Sequence, residues 1–269
     1  LFTTSNAKYY KRLFALTFLP ILAIGGVYFV YNLTSVKGVE QISELELEYD
    51  EDERIIIISD THLGCENDLN KYDYLENIIS EADKIVINGD FFDNYECGFD
   101  DFMNSDYRNL FPLLLEKDTV YIYGNHNLKR FSDADVLNFS KYQTDRFFLT
   151  IGEKRYVIEH GHLITPSLEQ EYPYLFANRA AIKFGRMIDS VGTFIENEDY
   201  FERYKGQNED LKNWAKTNLM ENEYLITGHT HLAEIDFDNH FINTGLIRYG
   251  YANYLQIFNG EETLVSEEY

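Results

Sequence analysis

Arg54-Ile55-Ile56-Ile57-Ile58-Ser59-Asp60-Thr61-His62 reads as a strand that empties into a turn carrying a carboxylate and an imidazole. Four consecutive β-branched apolar residues suit a strand buried on both faces, the kind found in a sheet covered from both sides. The same pattern recurs twice downstream. Ile85-Val86-Ile87 leads into Gly89-Asp90-Phe91-Phe92-Asp93, and Val120-Tyr121-Ile122-Tyr123 leads into Gly124-Asn125-His126-Asn127. Between these strands, Leu69, Tyr72, Leu75, Ile79 and Ala82 step at helical spacing, and a second helical pattern spans about Phe99 to Leu115. Strand, helix, strand, helix, strand indicates a layered α/β fold with parallel strands at its centre.

On the N-terminal side, residues 34–53 read as a connector followed by a first strand. There Leu45, Leu47 and Tyr49 alternate with Glu44, Glu46 and Glu48, a half-buried pattern with a solvated acidic face. On the C-terminal side, Asp133 to Tyr142 reads as helical. Phe147-Phe148-Leu149 and Tyr156-Val157-Ile158 read as strands of a second sheet. Residues 163–223 carry no strand pattern and form a helical insertion of two or three helices, with Arg179, Lys183 and Arg186 at 3- and 4-residue steps. Tyr224-Leu225-Ile226-Thr227 is a further buried strand. Short strands follow near Ile235, Phe241, Tyr254 to Phe258 and Leu264, with turns at Asp238-Asn239 and Asn259-Gly260. Residues 54–269 are therefore expected to form one domain.

Ahead of that domain lie a basic tail, 1–12, and an uncharged apolar run, Leu13 to Leu33. About 21 residues of helix cross roughly 30 Å of hydrocarbon, so a single transmembrane anchor is expected. Lys8, Lys11 and Arg12 precede the run, and Tyr28 and Tyr31 sit near its far end as interfacial anchors. This places the N-terminus inside and the rest of the chain on the extracytoplasmic side. A cleaved signal peptide is the alternative, since Ala23-Ile24-Gly25 resembles a cleavage site.

The 269-residue chain is 45% hydrophobic, enough for a sizeable core, and its formal charge is −23. Residues 1–37 hold four cations and no acid, so the remainder is more acidic still. A field of that sign repels polymeric nucleic acid. It leaves phosphate chemistry open, because bound divalent cations invert the local field. Cys65 and Cys97 are too few for a disulfide scaffold. Two free thiols are the simplest expectation; a single disulfide is the alternative in an oxidising compartment.

Six of the seven histidines fall in four short stretches, each ending an apolar run: His62, His126, His160 with His162, and His229 with His231. Asp60-Thr61-His62 places a carboxylate and an imidazole at i, i+2, where both can reach one cation. Asp90 can bridge two cations about 3.5–4 Å apart with its two oxygens, and Asp93 can orient a histidine. Asn125 offers a neutral amide oxygen beside His126, which is left free for acid–base work. Singly, each loop also reads as an ordinary turn. Five in succession, each after a strand, deliver ligands to one rim of a sheet.

Together the stretches SDTHLG, GDFFD, GNHN, HGH and GHTH, over about residues 54 to 260, resemble the calcineurin-like metallophosphoesterase superfamily. The resemblance implies a β-sandwich flanked by helices in four layers (αββα) and two divalent metal ions at the strand ends. It implies Asp60, His62 and His231 on one metal, Asn125, His160 and His229 on the other, and Asp90 bridging. A metal-bridging hydroxide would attack phosphorus in line, with His126 and its partner Asp93 serving the leaving oxygen. The mixed donor set suits manganese first, with iron, zinc or nickel as alternatives. The family usually has Asp or Glu where this chain has Asn127.

Phe241-Ile242-Asn243-Thr244-Gly245 and the Tyr-rich strand after it are similar to the branch containing the UDP-2,3-diacylglucosamine pyrophosphatases. Those enzymes carry a helical insertion before the last histidine pair, as a lid over acyl chains. Their typical bacterial members have Arg at the position of His126, so their substrate is not carried over. An insertion with Tyr172, Tyr174, Phe176, Phe184 and Phe194 alongside Arg179, Lys183 and Arg186 suits an amphiphilic phosphorylated ligand, and those three cations join Asn125 and His126 as candidate substrate-binding residues.

The expected function is a membrane-anchored, two-metal hydrolase of a small or lipid-linked phosphate ester or pyrophosphate. A nucleotide phosphodiesterase or nuclease of the same superfamily is the enzyme alternative. A catalytically silent binding scaffold is the alternative from another class; loss of metal ligands would mark it, and all seven are present.

Overall fold

The isoleucine run forms the centre of a seven-stranded sheet in a computed structural model of the chain, which describes residues 42–66, 68–167 and 179–269. Strand β1 (Glu44–Glu48) is half-buried in strict alternation, and β2 (Ile55–Ile58) is fully buried. Helix α1 (Leu69–Glu81) follows, with the Asp68 side chain accepting from the Lys71 amide at its N-cap. Then come β3 (Lys84–Asn88), the short helices α2 (Phe99–Met103) and α3 (Phe111–Glu116), and β4 (Val120–Ile122). After α4 (Lys129–Ser132) come β5 (Tyr142–Thr144), β6 (Arg146–Ile151) and β7 (Lys154–Ile158). The insertion supplies α5 (Arg179–Glu196), a 3-10 segment (Asn197–Tyr204) and α6 (Lys205–Asn218). The last third runs β8 (Glu223–Thr227), β9 (Glu234–Asp236), β10 (Phe241–Asn243), β11 (Ile247–Arg248), β12 (Tyr251–Phe258) and β13 (Glu261–Glu268).

One sheet runs β11-β12-β2-β3-β4-β5, with β13 paired to β12; the other runs β1-β6-β7-β8-β10-β9. Strands β2 to β5 are mutually parallel, as the alternation of strand and helix requires. The four isoleucines explain the layering. Ile55 and Ile57 point inward with Val86, Val120 and Ile122, against Phe147, Leu149, Tyr156 and Ile158 of the second sheet. Ile56 and Ile58 point outward with Ile85 and Ile87, against Leu75 and Ile79 of α1 and Leu114 of α3. On the far side, Leu211 and Ala215 of α6 cover Val157, Leu225 and Phe241. A helix layer thus lies outside each sheet, and the sequence places apolar residues on both faces of every central strand because both are covered.

Three expectations need correction. The pattern over Phe99 to Leu115 is not one helix: it breaks at Asn104, resumes as a 3-10 turn (Asp106–Leu110), and restarts with Pro112 in the first turn of α3. Asp133 to Tyr142 is helical only as a 3-10 segment (Asp133–Asn138), and Tyr142 opens β5, which hydrogen-bonds to β4. A three-residue parallel edge strand carries too short a pattern to show period two. The cysteines are not free thiols: Cys65 and Cys97 form a disulfide, with Cα atoms 5.3 Å apart. Their loops are already laced together by Leu63 N–H to Phe91 O and Asp93 N–H to Leu63 O, at 2.8 and 3.0 Å, so the thiols meet.

Among the described residues no helix is long and apolar enough to cross a membrane; the run Leu13 to Leu33 lies outside them. Tyr172, Tyr174 and Phe176 lie outside them too, as do the side chains of Arg179, Lys183, Phe184 and Arg186 on α5.

The disulfide closes a loop of 32 residues. Replacing both cysteines by serine is expected to cost about 3–4 kcal/mol of stability, mostly through the freer unfolded chain. Urea denaturation of the oxidised and Cys65→Ser/Cys97→Ser proteins checks this; equal midpoints would refute it.

Candidate metal centre

Five strand ends converge at one edge of the sandwich. Strand β2 delivers Asp60 and His62, β3 delivers Asp90, β4 delivers Asn125 and His126, β7 delivers His160, and β8 delivers His229 and His231. All seven sequence-expected ligands come together, and His126 and Asp93 join them.

The backbone turns sharply at these positions. Asp60, His62, Asp90, His229 and His231 all have positive φ, between 44° and 68°, a left-handed region that costs a side-chain-bearing residue about 1–2 kcal/mol. Strain of that kind persists only where surrounding contacts impose it. Here the contacts are hydrogen bonds between loops. Asp60 Oδ2 accepts from the His229 amide at 2.9 Å, and Asp90 Oδ1 accepts from the His126 amide at 2.9 Å. The approach is close enough to require glycine: a Cβ at Gly124 would lie 2.1 Å from Asp90 Oδ1, and one at Gly228 would lie 2.3 Å from Asp60 Oδ2.

The remaining atoms face one another with too few protons between them. His229 donates from Nε2 to the Thr165 carbonyl at 2.8 Å, so its Nδ1 presents a lone pair, 2.9 Å from the acceptor oxygen Asn125 Oδ1. That same oxygen is 3.1 Å from His160 Nε2, whose Nδ1 donates to the Asn88 carbonyl at 2.9 Å. His62 Nε2 and His231 Nε2 are 3.3 Å apart. Asp60 Oδ1, fully buried, has no hydrogen-bond partner; around it stand His231 Nε2 at 3.3 Å, His62 Nε2 at 3.7 Å and His160 Nε2 at 3.9 Å. A buried acceptor without a donor is costly, and acceptors converging in this way are the arrangement a cation satisfies. Three sets can hold one: Asp60, His62 and His231; Asp60, Asp90 and His160; His62, Asp93 and His126.

Asp93 serves two rings. Its Oδ1 lies 3.1 Å from His126 Nδ1 and its Oδ2 lies 3.5 Å from His62 Nδ1, so one carboxylate turns the Nε2 edges of both toward the centre. Asn127 stands where the resemblance leads one to expect an acid, and its two partners account for the amide. Its Oδ1 accepts from the Gly124 amide while its Nδ2 donates to the Tyr121 hydroxyl at 2.6 Å, bracing the turn that carries Asn125 and His126. His162 is buried beside His160, ring centroids 5.5 Å apart. Burial, and then the His160 charge, hold it well below the usual histidine range.

The sequence pattern misses the two carbonyls, Asn88 and Thr165, that fix which nitrogen His160 and His229 turn inward. Backbone oxygens leave no signature in residue type.

The charges are tightly balanced. Burial opposes a charge on His160, but Asp90 and then Asp60 outweigh it and push its pKa up to about 9. Burial, then the His160 charge, push His229 down to about 4. Burial acts against ionised Asp90 too, yet His160 and His126 hold it well below the carboxylate range. At pH 7 without a cation, His160 therefore carries a second proton, on the Nε2 that faces Asn125 Oδ1 and Asp90 Oδ2, and a metal must displace it because only neutral imidazole ligates. Titration of Mn²⁺ in buffers of differing ionisation heat is expected to show about one proton released per protein at pH 7, and affinity that weakens as pH falls. Release of no proton would refute this balance.

The family model for calcineurin-like phosphoesterases matches residues 53–233. No curated protein matches the chain. Among solved structures, the phosphoesterase Yfce of E. coli is 16% identical over 80% of this chain and 98% of its own, with a TM-score of 0.41. A dimetal phosphatase from Danio rerio is 12% identical over 81% of this chain and 97% of its own, with a TM-score of 0.40. Likeness at that level carries no substrate. The family match covers most of the chain and contains every candidate ligand: the chain belongs to the calcineurin-like phosphoesterases and is a metal-dependent phosphoesterase.

Proposed function

We propose that the chain is a membrane-anchored phosphoesterase that holds two divalent cations, manganese first among them, and hydrolyses a phosphate ester or pyrophosphate of a small or lipid-linked substrate. The observation that carries this reading is the convergence of acceptors from five strand ends around Asp60 Oδ1, which is buried and makes no hydrogen bond. Asp60, His62 and His231 would hold one ion and Asn125, His160 and His229 the other. Asp90 Oδ2 lies 3.9 Å from His62 Nε2 and 3.3 Å from His160 Nε2, in reach of both sets. When bound, such a pair supplies positive charge for the phosphoryl oxygens and a water acidic enough to act near neutral pH.

The chain's own part is positioning and proton transfer. His126 donates from Nδ1 to Asp93, which leaves Nε2 to serve the leaving oxygen. Oxygen donors from Asp60, Asp90 and Asn125 beside four imidazoles suit manganese.

For the substrate, support comes from α5, where Met187, Ile188, Val191, Phe194 and Ile195 are exposed, an apolar face suited to a lipid-linked ligand. Arg179, Lys183 and Arg186 on the same helix would meet its phosphate. The acidic surface disfavours polymeric nucleic acid. For the location, the run Leu13 to Leu33 supports a single-pass anchor, and the Cys65–Cys97 disulfide fits an extracytoplasmic domain.

Hydrolysis of p-nitrophenyl phosphate or its bis ester is expected to require Mn²⁺ or a similar ion and to vanish in chelator. Asp90→Asn should lower it at least about 100-fold. His126→Ala should lower kcat about 10²–10⁴-fold with metal content unchanged. Activity that survives chelator, or Asp90→Asn at the wild-type rate, would sink the two-metal reading. Removal of residues 1–36 should release the domain from carbonate-washed membranes; retention there would place the attachment elsewhere.

A further inference from the structure

The helical insertion touches the His229-Thr230-His231 turn at three points, and one of them is a closed polar network. Thr230, between the two histidines, donates from Oγ1 to Asn208 Oδ1 of α6 at 2.7 Å. The Asn208 amide nitrogen donates to the Leu232 carbonyl at 3.1 Å and to Glu234 Oε2 at 2.9 Å, so α6 holds the chain on both sides of His231. Asn243 of β10 completes the network from below, donating to the Gly228 carbonyl at 2.8 Å and lying 2.9 Å from Thr230 Oγ1. Asn208, Thr230 and Asn243 are all buried. The other two contacts fall on the histidines themselves. His229 is oriented by the Thr165 carbonyl at 2.8 Å, and His231 stands edge-on to Phe201 and Tyr204, ring centroids 5.7 and 6.3 Å away.

This turn needs holding. His229 and His231 both sit at positive φ, 68° and 64°, with Thr230 between them, a sequence of conformations that L-residues avoid. Thr230 fastens the turn to α6 through its hydroxyl, beside the contacts the two histidine rings make with the insertion.

We infer that Asn208, acting through Thr230, is a positioning residue for the two histidines, and that the insertion's role includes holding the metal turn in its left-handed form. An amide suits 208 because it accepts from Thr230 and donates to Leu232 at once; a carboxylate cannot donate, and an alanine leaves the buried Thr230 hydroxyl hydrogen and the half-buried Leu232 carbonyl without these bonds. The inference rests on the metal-site reading above, but the turn's geometry can be read without metal.

The test uses the full chain, wild type against Asn208→Ala, Thr230→Val and Thr230→Ser. Hydrogen exchange of the 228–232 amides is followed in chelator-stripped protein, and Mn²⁺ affinity is measured by titration. Thr230→Val keeps the shape and removes the hydroxyl, so it decides the matter should Asn208→Ala fail to fold. Asn208→Ala and Thr230→Val are expected to speed exchange of these amides at least tenfold and weaken Mn²⁺ binding about 10–100-fold. Thr230→Ser, which keeps the hydroxyl, should stay near wild type in both. Unchanged exchange and unchanged Mn²⁺ affinity in Thr230→Val, even with a lowered melting temperature, would overturn the inference. Should wild-type protein bind no Mn²⁺, the metal reading fails, and the exchange comparison alone still decides the positioning role.

Discussion

The hydrogen bond from the His229 amide to Asp60 Oδ2 joins residues 169 positions apart, and the site depends on it. Asp60 ends the central strand of one sheet, and His229 ends a strand of the other. The sandwich alone would leave these ends at roughly the 10 Å spacing of packed sheets. The bond draws the two loops inward until Asp60 Oδ1 stands among three imidazoles. One carboxylate oxygen is thus spent on architecture while the other makes no hydrogen bond and faces the imidazoles. The division fits a metal ligand: an oxygen already holding the backbone keeps the free one aimed.

The parts of this arrangement differ in how plainly they were written in the sequence. The isoleucine run announced a doubly covered strand, because the two alternate sets, Ile55 with Ile57 and Ile56 with Ile58, are apolar for different layers. The convergence of the candidate ligands was legible only jointly, since each Asp, Asn or His loop alone also reads as a turn while five in succession after strands do not. Strand β5 was not legible: Tyr142-Gln143-Thr144 is short, polar, and made a strand by its partner β4 rather than by its own pattern. The break in the Phe99 to Leu115 helix was signalled by Pro112, but helical periodicity continued across it and masked the signal. The disulfide depended on a distance of 5.3 Å between Cα atoms, which two isolated cysteines cannot encode. Asn127 appeared as a departure from the family and is resolved by its partners. Tyr121 offers a hydroxyl and Gly124 an amide hydrogen, so a group that both donates and accepts completes the set.

Left-handed backbone at five candidate ligands means the loops cannot be held by local preference, and three different kinds of restraint do the holding. The first two loops are closed covalently by Cys65–Cys97 and by the short ladder through Leu63 and Asp93. The middle loops are closed on each other, with the His126 amide on Asp90 and Asn127 bracing its own turn. The last loop is not bridged by the disulfide; besides its bonds to Asp60 and Asn243, it is held by the insertion through Asn208 and Thr230. The covalently closed side does not touch α6 through this network; the His229 and His231 side does. Movement of α6 therefore reaches one ligand of each proposed cation first, and Asp60 through its bond from the His229 amide. An insertion joined to the site in this way acts on the candidate ligands from one side, through the turn that carries His229 and His231.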